Sequence, residues 1–141
     1  MAANATGPLA GLKVIELAHI MAGPVCGLML ADMGADVIKV EKVPGGDDTR
    51  RMLPPTLDGE SAAFMILNRN KRGTSINLKS AAGKAVLERL LATADVVIEN
   101  YRPGTMERLG LGYSALHEKN PALIYCQVTG FGRTGPYAGR A

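Results

Sequence analysis

Apolar positions fall in short blocks whose period switches between that of a strand and that of a helix. Leu12-Lys13-Val14-Ile15-Glu16-Leu17 and Asp36-Val37-Ile38-Lys39-Val40-Glu41 are β-branched runs of strand length. Between them, Val25 to Met33 is rich in Leu, Met and Ala, with Pro24 suited to a first helical turn and Gly34 to the position just past the end. These pieces predict one βαβ unit with a right-handed crossover. Further on, Ser61 to Asn68 predicts a short helix and Thr74 to Leu78 a strand. Ser80 is placed as the N-cap of a helix that puts Val86, Leu87, Leu90, Leu91 and Ala94 on one face. Asp95 to Glu99 predicts a buried strand. Pro103-Gly104 opens a short helix carrying Met106 and Leu109, Tyr113 to Lys119 forms another, and Leu123 to Val128 is the last strand. Strands alternating with helices imply an α/β domain with a parallel, doubly wound sheet and helices on both faces.

Two stretches break the alternation. Residues 42–60 contain Pro44-Gly45-Gly46 and Pro54-Pro55 and predict a long loop, a feature that is often functional in a compact domain. Residues 1–10 are small and polar and predict a flexible lead-in, so the ordered domain is expected over 11–141. Gly130 to Pro136 is a turn-rich strand exit, and no closing element follows it before Ala141. The expectation is therefore of an N-terminal part of a larger domain, incomplete at its C-terminus.

Composition narrows the function classes only modestly. The 141 residues are 47% hydrophobic, enough for one core. The net charge of +3 comes from cations dispersed along the chain, which argues against a nucleic-acid partner. No uncharged run approaches the roughly 18 residues of a membrane span. Cys26 and Cys126 have no metal-type spacing and are read as buried structural thiols in a reduced, cytoplasmic chain. No metal site is expected.

The candidate chemistry lies in two basic turns, Asn68-Arg69-Asn70-Lys71-Arg72 and Glu99-Asn100-Tyr101-Arg102-Pro103-Gly104. Open α/β sheets bind ligands where their strands end, and clustered Lys, Arg, Asn and backbone N–H groups suit a phosphate. Both turns are expected to handle an anion, which points to a phosphorylated cofactor. His19, between a strand and the first turn, is read as a hydrogen-bonded structural residue, and Met29, Leu30 and Met33 as core.

Six ordered motifs together resemble a known family: Ala22-Gly23-Pro24, Ala31 through Glu41, Gly46-Asp47-Asp48-Thr49-Arg50, Asn68 through Arg72, Glu99 through Gly104, and Thr129 through Pro136. They are similar to the class III CoA-transferases, the family of formyl-CoA transferase, carnitine CoA-transferase and the 2-methylacyl-CoA racemases. The resemblance implies a Rossmann-like domain that binds coenzyme A, within a homodimer of interlocked subunits. It also implies transfer of CoA from an acyl-CoA to a small carboxylic acid through an aspartyl anhydride and an aspartyl-CoA thioester. By the same resemblance the nucleophilic Asp lies downstream of the Gly-Pro loop, past residue 141, so no catalytic residue is assigned in this chain.

Position by position, the resemblance implies CoA contacts at Met21 and Ala22, at Lys42, along Ile76, Asn77, Leu78 and Lys79, at Asn100 and Tyr101, at Arg108 and at Arg140. Formyl-CoA transferase has Gln where this chain has Met21, which argues against formyl or oxalyl substrates. It has Arg where this chain has Lys42, so the charge is kept without bidentate geometry. Two alternatives stay open: an acyl-CoA racemase, which would move an α-proton, and a non-catalytic CoA- or nucleotide-binding module.

Overall fold

The computed structural model describes residues 6–140. Five parallel strands form the central sheet: β1 (Lys13–Glu16), β2 (Asp36–Lys42), β5 (Arg72–Ile76), β6 (Val96–Glu99) and β7 (Ile124–Gln127), in the spatial order β5-β2-β1-β6-β7. A small antiparallel pair, β3 (Thr56–Leu57) with β4 (Glu60–Ser61), lies apart from it. The helices are α1 (Ala22–Asp32), α2 (Ala62–Asn68), α3 (Ala81–Leu91), α4 (Thr105–Arg108) and α5 (Tyr113–Lys119).

The inner strands β1 and β6 carry the apolar runs Val14-Ile15 and Val96-Val97-Ile98 because both faces of the sheet are covered there. Alternate residues enter two separate cores. Val14, Val37, Val96 and Ile98 pack with Ala31, Leu30 and Cys26 of α1. Ile15, Val40, Ile76 and Val97 face the other way, onto Leu87 and Leu91 of α3, Met106 of α4 and Leu116 of α5. Burying a Leu such as Leu87, which is 0% exposed, contributes about 1.5–3 kcal/mol. Val86 lies outside this face, 47% exposed.

Local signals explain the boundaries. The Ser80 hydroxyl accepts the Gly83 N–H at 3.0 Å and caps α3, while the Ser61 hydroxyl accepts the Phe64 N–H at 3.4 Å and caps α2. Gly34 follows α1 at φ +100°, where a Cβ would be strained. The chain runs outward from β1 through β2 to β5, then returns to the other side of β1 for β6 and β7. That reversal opens a crevice at the C-terminal ends of β1 and its neighbours.

Several expectations need correction. The third main strand spans Arg72–Ile76, two residues earlier than Thr74 to Leu78, which frees Asn77 to Lys79 to leave the sheet. Residues 42–60 are not a plain loop: Lys42 ends β2, Asp48–Arg51 forms a 3₁₀ turn, and β3 with the start of β4 closes the segment. Within the expected lead-in, the Leu9 N–H donates to the Met33 carbonyl at 3.0 Å and Leu9 packs on the α1-side core. The packed region thus reaches at least to Leu9, while residues 1–5 of that lead-in lie outside the described residues. Cys26 and Cys126 are only half-buried and lie side by side between α1 and β7, because the topology places β7 under the helix.

Candidate functional site at the strand exits

A pocket of about 430 Å³ opens where the strands end. Its wall is built from His19 after β1, Val40 to Val43 at the end of β2, Ile76 to Lys79 after β5, Tyr101 after β6, and Thr105 and Leu109 from the α4 region. Val40, Ile76, Leu78 and Leu109 make the body apolar, and Lys42 and Lys79, both exposed, bring positive charge to it. The arrangement is that of a binding site: apolar walls with a few convergent polar groups.

The sequence-expected residues divide clearly. Lys42, Ile76, Asn77, Leu78, Lys79 and Tyr101 line this pocket. Arg108 stands beside it, its guanidinium donating at 2.9 Å to the hydroxyl of the lining residue Thr105. Asn100 does not line the pocket. Its side chain accepts the His19 N–H at 2.9 Å and donates to the His19 carbonyl at 2.8 Å, so it fixes the first turn. Met21 and Ala22 begin α1, exposed and outside the lining. Arg140 lies over the Tyr137 ring at 4.5 Å and is likewise outside it.

Sequence reasoning gave no site role to Val40, Glu41, Val43, Thr105 and Leu109, and read His19, which also lines the pocket, as structural. The signal for Val40 to Val43 was available, because the residues ending a parallel strand border the ligand crevice. Thr105 and Leu109 required knowing that α4 folds back over β6, which no local pattern encodes.

The turn Asn68 to Arg72 departs from its anion-handling reading. It enters β5 rather than leaving it, and its cations are already paired. Arg69 and Asn70 bind the Asp32 carboxylate at 2.5 and 2.8 Å, Arg72 grips Asp36 with two bonds of 2.8 and 2.6 Å, and Lys71 is buried 2.7 Å from Glu16. These contacts staple α1 and β2 to β5.

Beneath the pocket lies a buried polar cluster. Glu16 and Lys39 are register partners on adjacent strands, and the Lys39 ammonium reaches Glu16 Oε1 at 2.8 Å, Asp47 Oδ2 at 2.8 Å and the Ala18 carbonyl at 2.9 Å. Asp47 also accepts the Ile20 and Thr49 N–H groups, at 3.2 and 2.9 Å. Burial alone would raise the Asp47 carboxyl, but hydrogen bonds from Lys39 and Thr49 outweigh it and hold it at about 2. Glu41 accepts the Asp47 N–H at 2.8 Å and a bidentate Arg50, whose guanidinium lies 3.6 Å over the Phe64 ring. Together these bonds tie residues 43–51 to the first β–α turn.

That turn is strained. Ile20, a β-branched residue, sits at φ +69°, and the Asp47 carboxylate takes its N–H. α1 approaches closely behind it: a Cβ on Gly23 would lie 2.2 Å from the Ala18 Cβ, and one on Gly27 1.9 Å from Glu16 Oε2. On the far side, burial pushes the Glu99 carboxyl up, opposed by the Tyr101 N–H at 2.7 Å and the Tyr125 hydroxyl at 3.3 Å. Burial and the Glu99 charge push the Tyr101 phenol up to about 12. Burial lowers the His19 imidazole, outweighing the pull of Asp47.

The fold and site define a doubly wound α/β domain with its ligand crevice at the strand exits. Among the described residues, no helix is long and apolar enough to cross a membrane. The sequence model of CoA-transferase family III matches residues 9–141, and the chain belongs to that family. It is 53% identical to a succinate–glutarate CoA-transferase of Agrobacterium fabrum, over 96% of this chain and 35% of that protein. It is 44% identical to the human succinyl-CoA:glutarate CoA-transferase, over 98% of this chain and 32% of that one. A crystal structure of a CAIB/BAIF family protein from Brucella suis superimposes with a TM-score of 0.90 at 52% identity, covering 96% of this chain and 36% of that chain. The chain thus spans about a third of the length of the relatives it matches.

Proposed function

We propose that this chain is the CoA-binding N-terminal part of a cytoplasmic acyl-CoA:carboxylic acid CoA-transferase. The observation that carries the reading is the pocket itself. It gathers Lys42, Ile76 to Lys79 and Tyr101 from three separated segments into one 430 Å³ space, and these are residues that the family resemblance assigns to coenzyme A. Lys42 and Lys79 offer their ammonium groups to phosphates, and the apolar walls take the base or the pantetheine arm. Succinyl-CoA as donor and a dicarboxylic acid as acceptor are favoured by the succinate- and glutarate-named relatives. In this reading the nucleophilic aspartate and the interlocked homodimer are supplied by the intact protein. The transferase names of those relatives favour transfer over racemisation.

The test is calorimetric titration of the intact protein with CoA, followed by CoA exchange between succinyl-CoA and glutarate. Because both lysines are exposed, Lys42→Ala and Lys79→Ala are each expected to weaken CoA binding only about 2- to 5-fold. Unchanged affinity in the double variant would refute this placement of CoA. Scrambling of a 2-methylacyl-CoA with no acceptor acid present would replace transferase by racemase.

A further inference from the structure

His19 lines the pocket, yet no expectation gave it a ligand role. Its position is fixed to an unusual degree: Asn100 holds both its backbone N–H and its carbonyl, and Asp47 holds the strained residue that follows. The ring is equally constrained. Nδ1 is buried and makes no hydrogen bond among the described residues, with the Asp47 carboxylate 3.8 Å away. Nε2 is 3.5 Å from the Tyr101 hydroxyl, itself part of the pocket wall.

We propose that Asp47 is a positioning residue that fixes His19 as the neutral tautomer protonated on Nδ1, so that Nε2 faces the pocket as a hydrogen-bond acceptor for an N–H or O–H group of the bound ligand. The alternative tautomer would point a buried lone pair of Nδ1 at a carboxylate, an arrangement with two acceptors and no proton between them. A proton on Nδ1 converts that repulsion into attraction, and the choice on one ring nitrogen dictates the role of the other. The charged groups around the ring are Asp47 and Asp48 against Lys39 and Lys42, one pair roughly offsetting the other, so the adjacent carboxylate decides the side that carries the proton. Burial keeps the ring neutral near pH 7, and Tyr101 stays protonated and able to donate to Nε2 when no ligand does. The ligand half of the inference rests on the CoA reading; amide, amine and hydroxyl donors are all present in CoA.

The experiment is a long-range ¹⁵N–¹H correlation spectrum of the intact protein labelled in histidine, at pH 7.5, with His19 assigned by its absence in His19→Phe. The expected spectrum shows a protonated Nδ1 and a bare Nε2 whose resonance moves when CoA is added. Asp47→Asn is expected to shift the proton toward Nε2, and if that variant does not fold, the wild-type spectrum alone decides. Losing one neutral acceptor predicts about 3- to 10-fold weaker CoA binding by His19→Phe. A proton on Nε2, or a doubly protonated ring, in the wild-type protein would overturn the assignment. An unaltered affinity in His19→Phe would overturn the ligand contact. An intact protein that binds no CoA would overturn the functional reading and the ligand contact with it, while the tautomer is still decided by the spectrum.

Discussion

Replacing Lys39 by methionine keeps an unbranched apolar stem out to the ε-carbon and removes the ammonium. The change strands two carboxylates, Glu16 and Asp47, that are both fully buried. Taking one partner from a buried ion pair costs about 3–5 kcal/mol. Glu16 keeps Lys71 at 2.7 Å and Asp47 keeps the N–H groups of Ile20 and Thr49, which places the expected loss near the lower end, about 3 kcal/mol. Native-state hydrogen exchange of β1 and β2 amides in the intact protein reads this directly, as roughly a hundredfold faster exchange at pH 7. The deficit is also pH-dependent. The folded-state Asp47 carboxyl is held at about 2, below its ordinary 3.8. The stability that this depression supplies is therefore complete above about pH 4 and is lost as the pH falls toward 2. Without Lys39 most of the depression disappears, so the gap between variant and wild type narrows by about 1 kcal/mol from pH 7 to pH 3. Exchange within about fivefold of wild type at pH 7, or a gap that widens on acidification, would show that Lys39 does not hold these strands together through its charge.

Two further substitutions probe the same architecture. Gly27→Ala places a Cβ 1.9 Å from Glu16 Oε2, so α1 must lift from the sheet, and calorimetric unfolding of the intact protein should register a loss of about 1–3 kcal/mol. Asn100→Ala removes both hydrogen bonds to the His19 backbone without touching the pocket wall. It is expected to raise the KM for acyl-CoA severalfold and lower stability by about 1–3 kcal/mol, and an unchanged KM would detach the first turn from ligand binding.

Much of the fold was legible because strands covered on both faces announce themselves as unbroken apolar runs. Val14-Ile15 and Val96-Val97-Ile98 supply one residue to each core in turn, and serine caps mark where α2 and α3 begin. The wall of the candidate pocket was legible where the chain leaves a strand, at Lys42 and at Ile76 to Lys79. What misled was charge without topology. Asn68 to Arg72 has the composition of an anion site, but only the three-dimensional register shows that Asp32, Asp36 and Glu16 already satisfy it. The role of Asn100 in fixing the first turn was hidden for a similar reason, since its partner His19 is 81 residues away in sequence. The roles of Asp47 and Glu41 were hidden inside an apparent loop, because a buried carboxylate is recognisable only once its donors are in place.

The pairing of the basic residues bears on how fast a ligand arrives. Arg50, Arg51, Arg69, Lys71, Arg72 and Arg133 each face a carboxylate at short range, so their fields cancel within a few ångströms. Even Lys42 shares its charge with Asp48 at 2.7 Å. These paired cations therefore do little to draw a polyanion from a distance. On the proposed CoA reading, steering of a phosphorylated ligand falls to cations outside these pairs, such as Lys79 and Arg108 at the pocket, above an unsteered rate of about 10⁵–10⁷ M⁻¹s⁻¹. Discrimination is deferred to the moment after contact, when the ligand is already at the mouth of the pocket.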